Sequence, residues 1–473
     1  MHLFLFSKVS YAELLKILRR RWGKKFVKKV KRRVPWVEHL IDDVKTARDL
    51  NYDANELKLK VSSRNLCLAC RGGKRLCGKP RCPAVMKLYS YIRVKSLISG
   101  TEMEGSSPPG VFVGRIGYPY VYAGPLVPPV FGDTSLMDAP ELWLGKPVEE
   151  IVDFRTKLVR GKFRVNVKKP EKTGKLMDKT RDLALSSASI DTEVAFKKKP
   201  GNRFYFDGET QPMGPSALLR GIELGSLKAD HRIEKAYGDA DLKAADAVLD
   251  LYQNRVPVSR IQKAFSVGAF GLKKQRRLVP TRWSITAVDS TLSQRIIEEE
   301  VKRKPAINEY RVYELKYLDN RFVVLMMPSG WKYEWIEAWY PGTAWNPKSP
   351  NIAMCGDWEG YKGRTTYSTL GGCYYAVRLA SAEHLAAEGR QATVVALREI
   401  HPGFITPLGV WINRESVREA LRRGYMKFND LKEALAYAAS KFEIRLEDWM
   451  QTSVLLKDAL HQEKLTKYFQ VKN

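Results

Sequence analysis

Arg311-Val-Tyr-Glu-Leu-Lys-Tyr-Leu-Asp-Asn-Arg-Phe-Val-Val-Leu-Met-Met327 is the most informative run in the chain for architecture. A period of two puts successive side chains on opposite faces of a strand. Arg311 to Leu318 and Arg321 to Met327 flank Asp319-Asn320, a dipeptide suited to a hairpin turn. Tyr333 to Trp339 reads as a third strand, dense in aromatics. Beyond it the period changes. Leu370 to Ala387 has helical spacing and is entered through Gly371-Gly372. Ala392 to Ile400 is strand-like. Helices follow near 414–423 and 429–442, with Asn413 and Asn429 as caps. Strands and helices segregated in this way place the chain in the α+β class, with mixed helices and antiparallel sheet.

Upstream, Val111 to Val130 (VFVGRIGYPYVYAGPLVPPV) alternates apolar and aromatic residues with Gly and Pro. It suits two short strands joined by a glycine-rich turn, with a close backbone approach. Gly100 to Gly110 reads as a turn-rich linker. Helices are expected at 83–98, 149–159 and 181–189, with strands at 163–167 and 190–196. Residues 215–272 read as mostly helical. Ser290 is expected to cap a helix over 291–303. Five regions result: a basic helical extension (1–62), a small knuckle with its following helix (63–98), a first α+β body (99–305), a second (306–445), and a C-terminal helix and tail (446–473).

The chain has 473 residues, 44% of them hydrophobic, so it can build sizeable cores. It carries 81 basic against 52 acidic residues, a net charge of +29. Such an excess points to nucleic acid or another polyanion. The apolar start, Met1 to Phe6, is interrupted at Lys8, too early for a signal peptide or spanning helix. A cytoplasmic protein with no membrane association is expected.

Cys67, Cys70, Cys77 and Cys82 have the spacing C-x2-C-x6-C-x4-C. Four thiolates so placed can converge on one tetrahedral zinc ion. The same ligands also suit an iron–sulfur cluster or two disulfides. Arg71, Lys74 and Arg75 lie among them and can offset the thiolate charge or face a polyanion. Residues 10–34 form a basic amphipathic pattern, with Arg20, Lys24 and Lys28 on its polar side. Lys273, Lys274, Arg276 and Arg277 make a further basic cluster ahead of Arg282. These eleven cations are the candidate nucleic-acid contacts.

The tail reads Gln462-x-x-Leu465-x-x-Tyr468-Phe469. One helical turn would gather Leu465, Tyr468 and Phe469 into an apolar plug. The pattern resembles the peptide that binds the sliding clamp PCNA, with Gln462 bonding the clamp backbone.

Cysteines, tail and the blocks GRIGYPYVYAGPLVPP (114–129), FRTKLVRG (154–161), QPMGPSA (211–217), LVPTRWSITAVDS (278–290) and TTYSTLGGCYYAVRLA (365–380) together resemble the archaeal Nre family of DNA repair proteins. The resemblance runs from about Cys67 to Phe469. It implies a C4-type zinc finger at the four cysteines, and a clamp-binding tail at Gln462, Leu465, Tyr468 and Phe469. It implies no settled catalytic mechanism. The basic extension is additional to the family pattern. DNA and the clamp are the expected partners.

The alternative is a metal-dependent nuclease or other nucleic-acid-processing enzyme. That chemistry needs carboxylates around Mg2+ or Mn2+ near the scissile phosphate. Asp191, Glu193 and Asp289 are the candidates, and Asp191 and Glu193, two apart on a strand, would share a face.

Overall fold

The computed structural model describes residues 59–60, 67, 70, 72–201, 204–205, 211–347 and 349–461. These form two units. One comprises the chain up to Ala139 with Lys146–Asp230 and Ile405–Pro407; the other is Pro140–Gly145, His231–Phe404 and the chain from Leu408. The sequence reading sets a boundary at 305/306, whereas the units divide at Asp230/His231. Helices that follow Asp230 pack with the second sheet's helices, a grouping that sequence adjacency does not reveal.

The first unit begins with α1 (Pro83–Ser96), where Pro83 stands at the first turn, the position its missing N–H suits. Strands β1 (Glu102–Ser107), β2 (Val111–Val113) and β3 (Tyr120–Val127) follow. Then come α2 (Val148–Lys157), β4 (Val159–Asn166), α3 (Lys175–Leu185), β5 (Ile190–Phe196) and β6 (Ser216–Leu224). The sheet order is β1-β5-β6-β4-β3-β2. One face carries Val121, Ala123, Phe163, Val165, Val194 and Ile222, all buried. Helix α3 packs against β6, β3 and β2. The alternate side chains leave the opposite face open, which is the half-buried pattern of mixed and antiparallel sheets.

The stretch 111–130 does form two strands, and its glycine makes the expected close approach. An added Cβ at Gly124 would lie 2.0 Å from the Gly161 carbonyl oxygen on the neighbouring strand. Gly124→Ala is therefore expected to destabilise the protein by about 2 kcal/mol or more, through displacement of β3 from β4. A denaturant titration of the variant checks this. An unchanged midpoint would show that the two strands can part without cost.

Three expectations fail here for local reasons. Gly100 to Gly110 is not a linker, since Glu102–Ser107 pairs with β5 along its whole length. Ser216–Leu224 is a strand and not helical. Its apolar run has no decisive period, and its pairing with β4 and β5 settles the matter. The β4–β6 pair is parallel, so the sheet is mixed and not purely antiparallel.

The second unit opens with helices α4 (His231–Gly238), α5 (Ala244–Gln253), α6 (Val258–Ser266) and α7 (Thr281–Ile296). Strands β7 (Tyr310–Tyr317), β8 (Asn320–Met327), β9 (Lys332–Trp339) and β10 (Ala353–Glu359) follow. Next are α8 (Gly372–Glu388), β11 (Thr393–Ile400), α9 (Trp411–Arg422) and β12 (Met426–Phe428). Helices α10 (Leu431–Ala439), α11 (Leu446–Thr452) and α12 (Val454–His461) complete it.

The expected hairpin is present, but its turn is Leu318-Asp319, one residue earlier than the expected Asp319-Asn320. Asn320 opposes Tyr317, and Leu318 and Asp319 take positive φ of 48° and 57°, as a tight hairpin turn requires. The order is β10-β9-β11-β8-β7-β12, and β9 with β11 is parallel, joined through α8. Val323, Leu325, Ile336, Val395 and Leu397 pack with Leu431, Leu435, Trp449 and Leu456 on α10, α11 and α12. Trp331, Tyr333 and Trp335 are buried in the core, so these aromatics are not available to stack on bases. Trp345 is exposed.

Ser290 caps nothing, because α7 runs through it from Thr281 after Pro280. Asn413 lies inside α9, and α10 is capped by Asp430, whose carboxylate accepts from the Lys432 and Glu433 N–H groups. No helix among the described residues is long and apolar enough to cross a membrane.

Candidate nucleic-acid interface

Cys67, Cys70, Cys77 and Cys82 precede α1. Cys82 is the residue before Pro83 and marks the N-cap of that helix. Gly73 and Lys74 N–H groups donate to the Cys70 carbonyl, and Gly78 to that of Arg75, folding the chain between the sulfurs into tight turns. Arg75 and Gly78 take positive φ of 50° and 70°. Burial pushes the Cys82 thiol up, the Val85 and Ala84 N–H groups oppose this, and Cys70 and Cys77 add to it. Lys74 and Arg75 are exposed around this cluster. Lys79 is instead buried, donating to the Ile405 carbonyl at 2.9 Å.

In the second unit, Lys273 and Lys274 lie on a short 3-10 turn and are exposed, as are Arg277 and Arg282. Arg276 is turned inward. Its guanidinium donates to the Gly271 and Tyr237 carbonyls at 2.7 and 2.6 Å, also reaches the Asp239 carbonyl, and stacks on the Tyr237 ring. It pins this loop to α4. Trp283, half exposed on the first turn of α7, stands next to Arg282. Arg20, Lys24, Lys28, Arg71, Gln462, Leu465, Tyr468 and Phe469 lie outside the described residues.

The carboxylate candidates separate. Asp191 and Glu193 are exposed on one face of β5, as the period of two requires. Ser106 Oγ donates to Asp191 at 2.5 Å. Glu193 stands between Glu104 on β1 and Glu223 on β6 in register, and Lys179 pairs with Glu223 at 3.1 Å. Asp289 belongs to the other unit and is fully buried. It accepts Arg414 Nη1 on both oxygens, at 2.9 and 3.0 Å, and Gln262 Nε2 at 2.9 Å. The structure thus joins Asp191 to Glu193 but gives Asp289 a helix-tying role.

Sequence reading missed three buried Arg–carboxylate pairs. They are Arg414 with Asp289, Arg378 with Glu359 at 2.8 Å, and Arg398 with Glu337 at 2.8 Å. Arg398 and Glu337 sit in strands that also carry Lys332, Glu334 and Glu399, so no local pattern singles them out. Glu399, His401 and Glu443 also present ligand atoms within 4.8 Å of one another. Their oxygens are already engaged: Glu399 accepts from Tyr340 at 2.9 Å and from the Glu443 N–H at 3.1 Å, and Glu443 pairs with Arg321. The trio reads as a latch between β11 and the segment after α10.

Two family models match the chain: archaeal Nre, N-terminal, over residues 76–346, and archaeal Nre, C-terminal, over residues 359–468. The chain belongs to the archaeal Nre family. Among curated relatives, the DNA repair protein NreB of Archaeoglobus fulgidus is 43% identical over 392 residues, which cover 83% of this chain and 97% of that protein. The DNA repair protein NreA of the same organism is 36% identical, over 80% of this chain and 94% of the relative. NreA of Haloferax volcanii is 31% identical, over 77% and 88%. No solved structure matches. The matched ranges hold every strand of the two six-stranded sheets except β10, which lies almost wholly between them; residues 1–75 precede both ranges.

Proposed function

We propose that this Nre protein is a DNA repair factor that binds DNA through basic surfaces and is brought to the sliding clamp by its C-terminal peptide. The observation that carries the repair role is the 43% identity to a DNA repair protein over 97% of that relative's length. The +29 net charge supports DNA as the partner, since phosphate neutralisation supplies most of the sequence-independent affinity. Of the cations expected from the sequence, Lys74, Arg75, Lys273, Lys274, Arg277 and Arg282 are exposed among the described residues.

Cys67, Cys70, Cys77 and Cys82 would hold a structural zinc ion, which would cross-link turns too short to build a core of their own. Gln462, Leu465, Tyr468 and Phe469 would seat in the clamp. Tethering to a ring already on DNA raises the local concentration of the protein at its substrate. The protein works in the cytoplasm, where the nucleoid lies.

Removing residues 462–473 is expected to weaken clamp binding by about 100-fold, while DNA binding and melting temperature stay unchanged. Calorimetric titration with the purified clamp measures this. Full affinity in the truncated protein would refute the recruitment step and leave the repair assignment to rest on the family.

A further inference from the structure

The open face of the first sheet is polarised. Glu102, Glu104, Asp191, Glu193 and Glu223 gather at the β1–β5–β6 end, all exposed. At the other end, β4 presents Arg160, Lys162 and Arg164 on that same face, while Val159, Gly161, Phe163 and Val165 turn into the core. Each of the three cations stands over an aromatic ring, two of them on the adjacent strand β3 and the third on β2 beyond it. Arg164 lies 5.5 Å from the Tyr120 ring, Lys162 lies 5.9 Å from the Tyr122 ring, and Arg160 lies 5.7 Å from the Phe112 ring. Phe112 on β2 lies directly opposite Gly124 of β3 in register.

Tyr120 and Tyr122 are 51% and 46% exposed, and the β2–β3 turn adds exposed Arg115, Ile116 and Tyr118. An apolar and aromatic surface of this kind, left open beside uncompensated cations, is a site in search of a partner. None of Arg160, Lys162 and Arg164 makes an ion pair among the described residues. Burial and then the neighbouring Arg160 push Lys162 down, and burial and then Arg155 push Arg160 down. An anion placed on this row would relieve that repulsion.

We infer that the β2–β3–β4 face is a platform for an unpaired polynucleotide strand, with bases stacked on Tyr122, Tyr120 and Phe112 and phosphates held by Arg160, Lys162 and Arg164. Sheet geometry supports the match. Alternate residues of one strand are about 6.8 Å apart, close to the step of an extended single strand. The exposed Tyr120 and Tyr122 rings, with half-buried Phe112 behind them, accept any base, because every base has a π-face, whereas a duplex hides those faces in its own stack. The acidic end of the same face repels phosphate, so the strand is confined to the basic edge and runs along β3 and β4. The inference rests on the DNA-binding reading above and names the surface and the form of DNA.

The test is fluorescence anisotropy of the full-length protein with a labelled 12-nucleotide oligothymidylate, an oligouridylate of equal length and a duplex. Tyr120→Ala/Tyr122→Ala is expected to weaken oligothymidylate binding about tenfold or more, with duplex binding held by the other basic surfaces. Tyr120→Phe/Tyr122→Phe keeps the rings and is expected to bind as wild type. Lys162→Gln/Arg164→Gln is expected to lower the slope of log K against log salt by about 1.4. Because Tyr120, Tyr122 and Arg164 are exposed and Lys162 is half-buried at the sheet surface, circular dichroism melts of the variants are expected to stay close to wild type. Oligothymidylate affinity unchanged by both alanines, or lost equally with phenylalanine, overturns the platform, and DNA binding elsewhere on the protein then still stands. Binding of oligouridylate alone overturns the assignment to DNA. No binding of any oligonucleotide by the wild type overturns the DNA reading itself.

Discussion

Replacing Arg414 with alanine is expected to destabilise the second unit by about 3–5 kcal/mol, because it strands a buried carboxylate without its cation. Arg414 and Asp289 are both fully enclosed and share a two-oxygen contact. The effect spreads through a network. Arg414 Nε reaches Glu415 at 3.0 Å, Arg418 bridges Glu415 and Glu383, and Tyr252 donates to Glu383 at 2.9 Å. These contacts join α5, α7, α8 and α9. A melting temperature lower by about 10 °C corresponds to that loss in a unit of this size. Arg422→Ala, which removes an exposed partner of Glu419, is expected to cost about 0.5 kcal/mol or less.

The same network has a pH signature. Burial pushes Asp289 up to about 6, with Arg414 and Arg418 pulling it down. The folded chain therefore holds that proton more tightly than the unfolded chain, in which aspartate titrates near about 4. The stability from this proton is present on the acid side and is lost as pH rises through about 6. Removing Arg414 removes the strongest downward pull, so the loss continues to higher pH. The deficit of Arg414→Ala relative to wild type is expected to be smaller at about pH 5 than at about pH 8. Melting curves at both pH values measure it, and equal deficits would show that Asp289 does not carry the penalty.

Elemental analysis of the purified protein is expected to find one zinc per chain, lost in Cys77→Ser and in Cys82→Ser. Structural zinc in small modules supplies about 10–16 kcal/mol of apparent binding energy near neutral pH. Loss of the ion is expected to expose the turns around Gly73 and Gly78 to protease, while the second sheet keeps its melting transition. Cys355→Ser and Cys373→Ser are expected to retain the metal. Burial pushes the Cys373 thiol up to about 12, away from the thiolate a metal needs. Iron with sulfide in place of zinc would assign the thiolates to a cluster, and a metal-free wild type would remove the knuckle from the proposal.

The chain's own pattern was enough for the elements whose signal is local. The 311–327 hairpin, the strands at 190–196 and 333–339, and the helix at Gly372–Glu388 follow from periodicity and turn chemistry held within a few residues. The strand pairing of 111–113 with 120–127 was legible for the same reason, with Gly124 marking the close approach. Tertiary structure alone decided whatever depends on a distant partner. Glu102–Ser107 and Ser216–Leu224 are strands because β5 and β4 lie beside them, and neither has enough local preference to say so. Asp289 looked like a free carboxylate until Arg414, far along the chain, closed on it. The cation–aromatic ladder has the same origin. Its residues lie in three strands, and only sheet register sets Arg160, Lys162 and Arg164 over Phe112, Tyr122 and Tyr120. Side-chain period is a property of one segment, but charge compensation and stacking are properties of neighbours, and neighbours are chosen by folding.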